Sequence, residues 1–129
     1  MAGRNYFTCT GLAFLARELA REDIRRVGAI TIEARTGRPA GKTTGGVLRP
    51  LLRECLATLS KRLGTVRDAR TIVVGDAMSV TGYLPGGGIL RFFGHCTREK
   101  ETACDVEIVT DKRTLLVKPG NNLLRASGV

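Results

Sequence analysis

The amino-acid sequence predicts a mainly α-helical domain, in which a helix, a long helix and a third helix are joined by two short loops. Two stretches, residues 10–24 and about 48–63, carry leucines at helical spacing. Asp76 is placed to cap a third helix over residues 77–84, and Pro85 with the glycines after it would end that helix.

The first stretch is amphipathic. Leu12, Leu15 and Leu19 recur at spacings of three and four residues, whereas Arg17 and Arg21 fall on the opposite face. A threonine at its start can cap the helix. We therefore expect one apolar face that packs on other elements and one charged face that meets solvent.

The middle helix carries a longer apolar stripe, and Pro50 fits it only in the first turn. Such a stripe suits either a contact with a second protein chain or an ordinary buried face. The stripe consists of Leu48, Leu52, Leu56, Leu59 and Leu63.

The remaining segments are shorter. Residues 27–34 suit a strand, although a helix that starts at Ile30 is an alternative. The glycine-rich residues 36–46 predict a loop, and residues 70–74 an extended stretch. The end of the chain predicts a β-hairpin about Asp111 and Lys112, with residues 106–110 and 114–117 as its strands and residues 121–129 as a frayed tail.

The composition is that of one globular domain with a strongly basic surface. The 129 residues are 43% hydrophobic, and 21 Lys and Arg against 12 Asp and Glu give a net charge of +9. The longest nearly uncharged stretch, residues 71–90, contains five glycines and does not predict a membrane span. The amino terminus lacks the layout of a secretory signal, so we expect an intracellular protein whose four cysteines stay as thiols. The charge indicates a polyanionic partner.

Two candidate chemistries are weak. Residues 37–43 resemble a phosphate-binding P-loop, but Thr36 stands where that pattern needs glycine and Pro39 removes an amide donor. Residues 72–76 could supply the acidic strand of such an enzyme. His95, Cys96, Cys104 and Asp105 could ligate zinc, but their spacing matches no closed zinc site. We expect no metal, no cofactor and no catalytic residues.

The basic residues are more informative, because they cluster beside the predicted loops. If the first and third helices cross the middle one, the two loops meet and form one phosphate-binding surface. One loop contributes Arg25 and Arg26, and the other contributes Arg67, Arg70 and Thr71.

These residues resemble a divergent core histone, and they are most similar to histone four. Residues 15–22 resemble the first histone helix, and residues 24–28 resemble its first DNA-contacting loop. Residues 46–54 look like part of the middle helix. Thr71 followed by Asp76 has the spacing of the second loop and third-helix cap, and residues 90–94 resemble the segment that pairs with a neighbouring histone.

The resemblance implies a histone fold over residues 10–95, with a glycine-rich insertion at residues 36–46. A short arm, residues 1–9, would precede it, and residues 96–129 would form a carboxyl-terminal extension. The implied function is DNA packaging without sequence specificity, in a nucleosome-like particle, by a subunit that is not an enzyme. Its partners would be double-stranded DNA and other core histones, first a histone-three-like chain. It would lie in chromatin in the nucleus, or in a virion or host nucleus if a virus encodes it.

The resemblance also assigns roles to residues. Arg26 would enter the minor groove and Arg25 would contact the adjacent backbone. The second loop would hold phosphates through Arg67, Arg70 and Thr71, and the polar face of the first helix would add Arg17 and Arg21. The leucine stripe of the middle helix would be the interface with the partner histone.

Two alternatives stay open. One is a basic α+β nucleic-acid-binding domain, in which residues 27–34, residues 71–74 and the terminal hairpin share one sheet. The other is a small P-loop-like nucleotide-binding enzyme.

Overall fold

The computed structural model describes residues 10–21, 25–59, 65–98, 101–118 and 123–128. These residues form a mixed sheet with helices packed on one of its faces. In chain order the elements are α1 (Thr10–Leu19), β1 (Val27–Gly37), α2 (Thr44–Leu59), β2 (Arg67–Val74), β3 (Ala77–Tyr83), β4 (Ile89–Thr97), β5 (Ala103–Thr110), β6 (Arg113–Lys118) and β7 (Leu123–Gly128).

The sheet has the strand order β2-β3-β4-β1-β5-β6-β7, so β1 lies at its centre. The pair β1 and β4 is parallel, with Ile32 opposite Phe92, and every other neighbouring pair in this order is antiparallel. A parallel pair needs a long crossover, and α2 with the β2–β3 hairpin supplies it.

The core lies between the sheet and the two helices. Alternate residues along the central strands are buried, such as Ile30 and Ile32 on β1 and Leu90 and Phe92 on β4. The helices contribute the leucines of their apolar faces. The residues between the buried ones point to the other face of the sheet, where Phe93 is 47% exposed.

The first helix and the terminal hairpin confirm their predictions. Leu12, Leu15 and Leu19 are fully buried on α1, which ends at Leu19 rather than near residue 24. The β5–β6 hairpin turns at residues 111 and 112, as the sequence predicts. The Thr110 hydroxyl stabilises this turn, since its oxygen accepts the backbone N–H of Arg113 at 3.0 Å.

The mainly α-helical fold class is wrong, because the predicted third helix is strand β3. The burial of residues 77–83 alternates with a period of two, and Met78 and Val80 point into the core. Asp76 does not cap a helix. It belongs to the tight turn of the β2–β3 hairpin with Gly75, whose φ of 57° suits glycine.

Four further segments correct the histone-like organisation. The segment that follows the first helix is strand β1, which excludes a helix at Ile30. Residues 36–46 are not an insertion in a long helix; they end β1, connect it to α2 and begin α2. The segment compared with the histone-pairing region is strand β4, and the predicted frayed tail contains β7.

The middle helix begins four residues earlier than predicted and holds Pro50 in its seventh position. Thr43 caps its start, because the Thr43 hydroxyl accepts the backbone N–H of Gly46 at 2.9 Å.

One feature of the α+β alternative, its shared sheet, is confirmed. Strands β1 and β2 and the terminal hairpin lie in one sheet, as that alternative requires. The same sheet combines strands from residues 10–95 with strands from residues 96–129, and the predicted arm, residues 1–9, lies outside the described residues. Neither described helix is long and apolar enough to cross a membrane.

Candidate functional site at the carboxyl ends of β1 and β4

A cleft of about 700 Å³ opens at the carboxyl ends of β1 and β4, the parallel pair of the sheet. In open α/β sheets, ligands bind outside the carboxyl ends of the parallel strands, where the chain leaves the sheet for a helix. The position of the cleft therefore makes it the leading candidate site. Its lining consists of Gly37, Arg38, Pro39, Asp76, Cys96, Thr97 and Arg98.

Two charged side chains from different elements meet in this cleft. Arg38 follows β1, and its Nη2 lies 3.0 Å from Oδ1 of Asp76 in the β2–β3 turn. Both side chains are about half exposed, so the ion pair contributes little to stability. The ion pair instead fixes the positions of one guanidinium group and one carboxylate in the wall of the cleft.

The turn that carries Asp76 is fixed from two sides. The Thr44 hydroxyl, at the start of α2, donates to the carbonyl oxygen of Gly75 at 2.8 Å. The backbone N–H of Cys96 on β4 donates to the carbonyl oxygen of Asp76 at 2.8 Å. Because helix and sheet both hold the turn, the Asp76 carboxylate is presented by rigid elements.

The Cys96 side chain forms a nearly buried part of the lining, with 6% of the residue exposed. Burial raises the pKa of its thiol, and the nearby Arg38 charge only partly opposes this effect. Cys96 is therefore a neutral thiol at pH 7 rather than a nucleophilic thiolate.

The lining offers binding groups rather than a pair of acid and base. Two arginines can donate hydrogen bonds and the Asp76 carboxylate can accept them, and the seven lining residues that the structure describes include no histidine and no lysine. The arrangement suits the binding of a ligand with hydroxyl or anionic groups.

Two segments at this cleft, residues 37–43 and 72–76, match the P-loop pattern only weakly in the sequence. The loop compared with a P-loop does connect a strand to a helix, and the acidic segment compared with its metal-holding strand does supply Asp76. The structure brings the two together through Arg38 and Asp76. The glycine-rich loop followed by a helix was the signal that could have identified the cleft.

The arginines predicted to bind DNA lie at the opposite end of the sheet. Arg67 is in register with Ala29, which lies near Arg25 and Arg26 at the amino end of β1, but β3 and β4 intervene. Three strand spacings separate the two groups by about 14 Å. They therefore share one end of the sheet without forming a single cluster.

Arg70 lines a second groove, of about 520 Å³, together with Tyr83 and Ile89, and Thr71 follows it on β2. Arg17 lies on α1, and Arg21 follows this helix. DNA binding by these arginines stays a prediction.

The leucine stripe of α2 faces the chain's own core. Leu48, Leu52 and Leu59 are buried there, and Leu56 is half-buried against it. Leu63 lies outside the described residues. The structure thus uses the described part of the stripe within one chain, and its use in a contact with a partner stays a prediction.

The four residues considered for zinc do not converge. His95 and Cys96 are neighbours on β4 and point to opposite faces of the sheet. Cys104 lies in the core beside Cys55, and a hydrogen bond with that thiol, together with burial, raises the pKa of Cys104. Asp105 follows Cys104 on β5 and points to the other face of the sheet.

No protein-family model and no curated protein sequence matches the chain. Several solved structures share the fold. UDP-N-acetylglucosamine 3-dehydrogenase GnnA from Acidithiobacillus ferrooxidans aligns with a TM-score of 0.64 and 16% identity, over 95% of this chain and 43% of that chain.

Two further structures give the same picture. Levoglucosan dehydrogenase, in complex with NADH and levoglucosan, aligns with a TM-score of 0.63 and 11% identity, over 95% of this chain and 45% of that chain. A super-repressor mutant of Gal80p from Saccharomyces cerevisiae aligns with a TM-score of 0.59 and 10% identity, over 95% of this chain and 44% of that chain. The fold is shared with part of these proteins. This chain spans less than half of their length.

These matches correct the histone interpretation. The structures that share the fold include dehydrogenases, and their sheet-rich domain has nothing in common with three helices joined by two loops. The resemblance to histone four, the DNA-packaging function and the expectation of a protein that is not an enzyme are therefore wrong. The nucleotide-binding enzyme alternative is closer to these neighbours. Duplex DNA or a histone as partner, and a nuclear or virion location, are untested predictions.

Proposed function

We propose that this chain is the sheet-rich domain of an oxidoreductase-type protein, and that the cleft at the carboxyl ends of β1 and β4 binds a sugar or sugar derivative. The observation that carries the proposal is the place of the cleft. It lies at the parallel strand pair of a fold that the chain shares with dehydrogenases, and a fixed Arg38–Asp76 pair lies in its wall.

The chemistry of the neighbours' ligands supports the substrate class. GnnA is named as a UDP-N-acetylglucosamine 3-dehydrogenase, and levoglucosan dehydrogenase forms complexes with levoglucosan and with L-sorbose. All three compounds carry several hydroxyl groups. A hydroxyl group both donates and accepts hydrogen bonds. Asp76 can accept from one hydroxyl while Arg38 or Arg98 donates to another, so the lining matches a polyhydroxylated ligand.

A dinucleotide cofactor does not fit the described residues. Dinucleotide-binding domains use several parallel strands and a Gly-x-Gly-x-x-Gly turn whose backbone approaches the pyrophosphate. Here one strand pair is parallel, and the loop between β1 and α2 has Pro39 among its few residues. We assign no dinucleotide site to this chain and derive no redox step from its residues.

Titration of the isotopically labelled chain by NMR tests the proposed ligand site. Levoglucosan, L-sorbose and UDP-N-acetylglucosamine are added in turn, and backbone amide shifts are followed. We expect at least one ligand to shift the amides of Gly37, Thr97 and Arg98. Asp76→Asn should weaken its binding about tenfold, because a charge-assisted hydrogen bond is lost.

Asp68→Asn is the matched control. Asp68 lies in the second groove at the other end of the sheet, and asparagine tolerates its φ of 53°. This variant should bind as the unmodified chain does. Shifts that map to the second groove, or no shifts with any of the three ligands, would contradict the proposal.

A further inference from the structure

We propose that the ligand of this cleft carries an anionic group, a phosphate or a carboxylate, and that Arg98 and Arg38 bind this group. The inference rests on the proposed function and narrows its substrate class to acidic derivatives of sugars. It follows from the charges of the lining, from the partners of each charged side chain and from the element that approaches the cleft.

The lining has an excess of positive charge. Its described residues include two cations, Arg38 and Arg98, and one anion, Asp76, which gives these residues a net charge of +1. In a concave site with protein walls, such an excess attracts anions more strongly than the same charge on a flat surface does.

The two arginines differ in their partners. Asp76 neutralises Arg38 at 3.0 Å, whereas no carboxylate within the described part of the chain pairs with Arg98. Arg98 is exposed and follows β4 directly, so its guanidinium group is attached beside a rigid strand end. Among the described lining residues, Arg98 therefore carries the charge that no carboxylate offsets.

Guanidinium groups suit phosphate and carboxylate oxygens. Their N–H donors form a planar fork that can bind two oxygens of one anion in parallel. Arg38 uses Nη2 for Asp76, and its Nη1 lies 3.5 Å from the carbonyl oxygen of Lys42. These contacts leave part of its donor set for a ligand in the cleft that Arg38 lines together with Arg98.

The start of α2 adds to the positive potential. Thr44 lies in the first turn of this 16-residue helix and contacts Gly75, the neighbour of Asp76, through its hydroxyl. The amino end of the helix dipole, which carries partial positive charge, is thus placed beside the cleft. It reinforces a preference that the two arginines establish.

Asp76 gives the wall of the cleft a hydrogen-bond acceptor. Its Oδ1 pairs with Arg38, and its carboxylate can accept further hydrogen bonds from hydroxyl groups. The expected ligand therefore places its hydroxyls near Asp76 and its anionic group near Arg98. Sugar phosphates and sugar acids share this chemistry.

Calorimetric titration of the chain with four probes tests the inference. The probes are glucose, glucose 6-phosphate, glucuronate and inorganic phosphate. We expect glucose 6-phosphate or glucuronate to bind about tenfold more tightly than glucose, because a charge-assisted contact is gained. This preference should shrink when NaCl is raised, since salt screens exposed charges. The tighter of the two acidic sugars identifies the anionic group.

Arg98→Gln should abolish the preference for the acidic sugar and weaken glucose binding by a smaller factor. Arg53→Gln, which removes an exposed charge on α2 outside the cleft lining, should leave the preference intact. Since both arginines are exposed, we expect both variants to fold, and the salt dependence of the unmodified chain tests the same point without a variant.

The outcomes separate this inference from the proposed function. Equal affinity for glucose and for both acidic sugars would contradict the proposal that the ligand carries an anionic group, but it would still support a sugar site. If inorganic phosphate binds as tightly as glucose 6-phosphate, the hydroxyl groups of the sugar contribute nothing to binding, and the proposal of a hydroxylated ligand is wrong. If none of these sugars binds although one of the ligands tested by NMR does, the inference fails, and if no ligand of either set binds, the proposed function itself fails.

Discussion

Asp111 links the start of β1 to the β5–β6 hairpin through its side chain. Its Oδ1 accepts the backbone N–H groups of Arg25 at 3.1 Å and Arg26 at 3.2 Å. The bond from Arg26 is the largest cause that lowers the Asp111 pKa, and the bond from Arg25 adds to it. These bonds favour the ionised carboxylate in the folded state.

Because the pKa of Asp111 is lower in the folded state, its contribution to stability is present above the usual carboxyl pKa. That contribution is lost as the pH falls through the folded-state pKa, below about pH 4. We expect Asp111→Ala to unfold at lower urea concentration than the unmodified chain at pH 7, and this difference to shrink under acid. Asp111→Asn, which keeps an acceptor oxygen, should lose less stability at pH 7 than Asp111→Ala does. Urea titrations at pH 7 and pH 3 measure both, and an equal loss for Ala at the two pH values would contradict the assignment.

Gly88 allows β4 to start against β1. A Cβ atom there would overlap the backbone carbonyl oxygen of Val27 and lie 3.2 Å from that of Gly28. Backbone atoms cannot move aside easily, so Gly88→Ala should destabilise the chain by about 1–3 kcal/mol. The control is Gly28→Ala, whose Cβ would lie 3.6 Å from the carbonyl oxygen of Val109, an ordinary contact. If urea unfolding shows equal losses of stability for both variants, the close approach of β4 to β1 does not depend on a glycine at position 88.

At the scale of the elements, helix α2 contains a residue that destabilises it. Pro50 lies in the helix interior, where it has no N–H to donate to the Gly46 carbonyl oxygen, and it is exposed. Pro50→Ala should therefore stabilise the chain, by up to about 3 kcal/mol. Arg53→Ala, an exposed change in the same helix, should stay within about 0.5 kcal/mol. A lower thermal midpoint for Pro50→Ala would show that the ring makes a contact that α2 needs.

The same scale shows how much of the fold the sequence predicts. Leu12, Leu15 and Leu19 fit only a helical period, and the hairpin about Asp111 has clear alternation on both sides, so both predictions hold. The failure came at residues 77–84, where Met78 and Val80 suit a strand but Asp76 also suits a helix cap. The local sequence pattern is compatible with both a helix and a strand at these residues. Pairing with β2 and β4 makes the segment a strand, and such contacts between strands cannot be read from local periodicity.

The candidate site could be predicted only in part. The loop after Gly37 was noticed as a phosphate-like turn, but its partner Asp76 lies 38 positions after Arg38 in the chain. Cys96 and Thr97 enter the cleft because β4 runs parallel to β1, and that pairing depends on the crossover. The net charge directed attention to the arginines at the other end of the sheet. Composition reports how much charge a chain carries, but topology decides which charges meet.

At the scale of the whole molecule, β1 is the strand on which the sheet depends. It pairs with β4 on one side and with β5 on the other, so its neighbours come from distant parts of the chain. β5 also supplies three buried residues, Cys104, Val106 and Ile108, to the core. β7, in contrast, lies at the edge of the sheet and pairs with β6 alone.

This asymmetry predicts opposite outcomes for two truncations. Deletion of residues 119–129 removes an edge strand, and the remaining chain should keep a cooperative urea transition. Deletion of residues 103–129 removes β5, β6 and β7, leaves the apolar strand β1 at an edge and uncovers Ile30 and Ile32. That chain should lose its cooperative transition and aggregate, because core area and ladder hydrogen bonds are lost together. Far-UV circular dichroism with urea titration compares the two. A folded, soluble chain that ends at residue 102 would show instead that the strands after β4 are a separable extension.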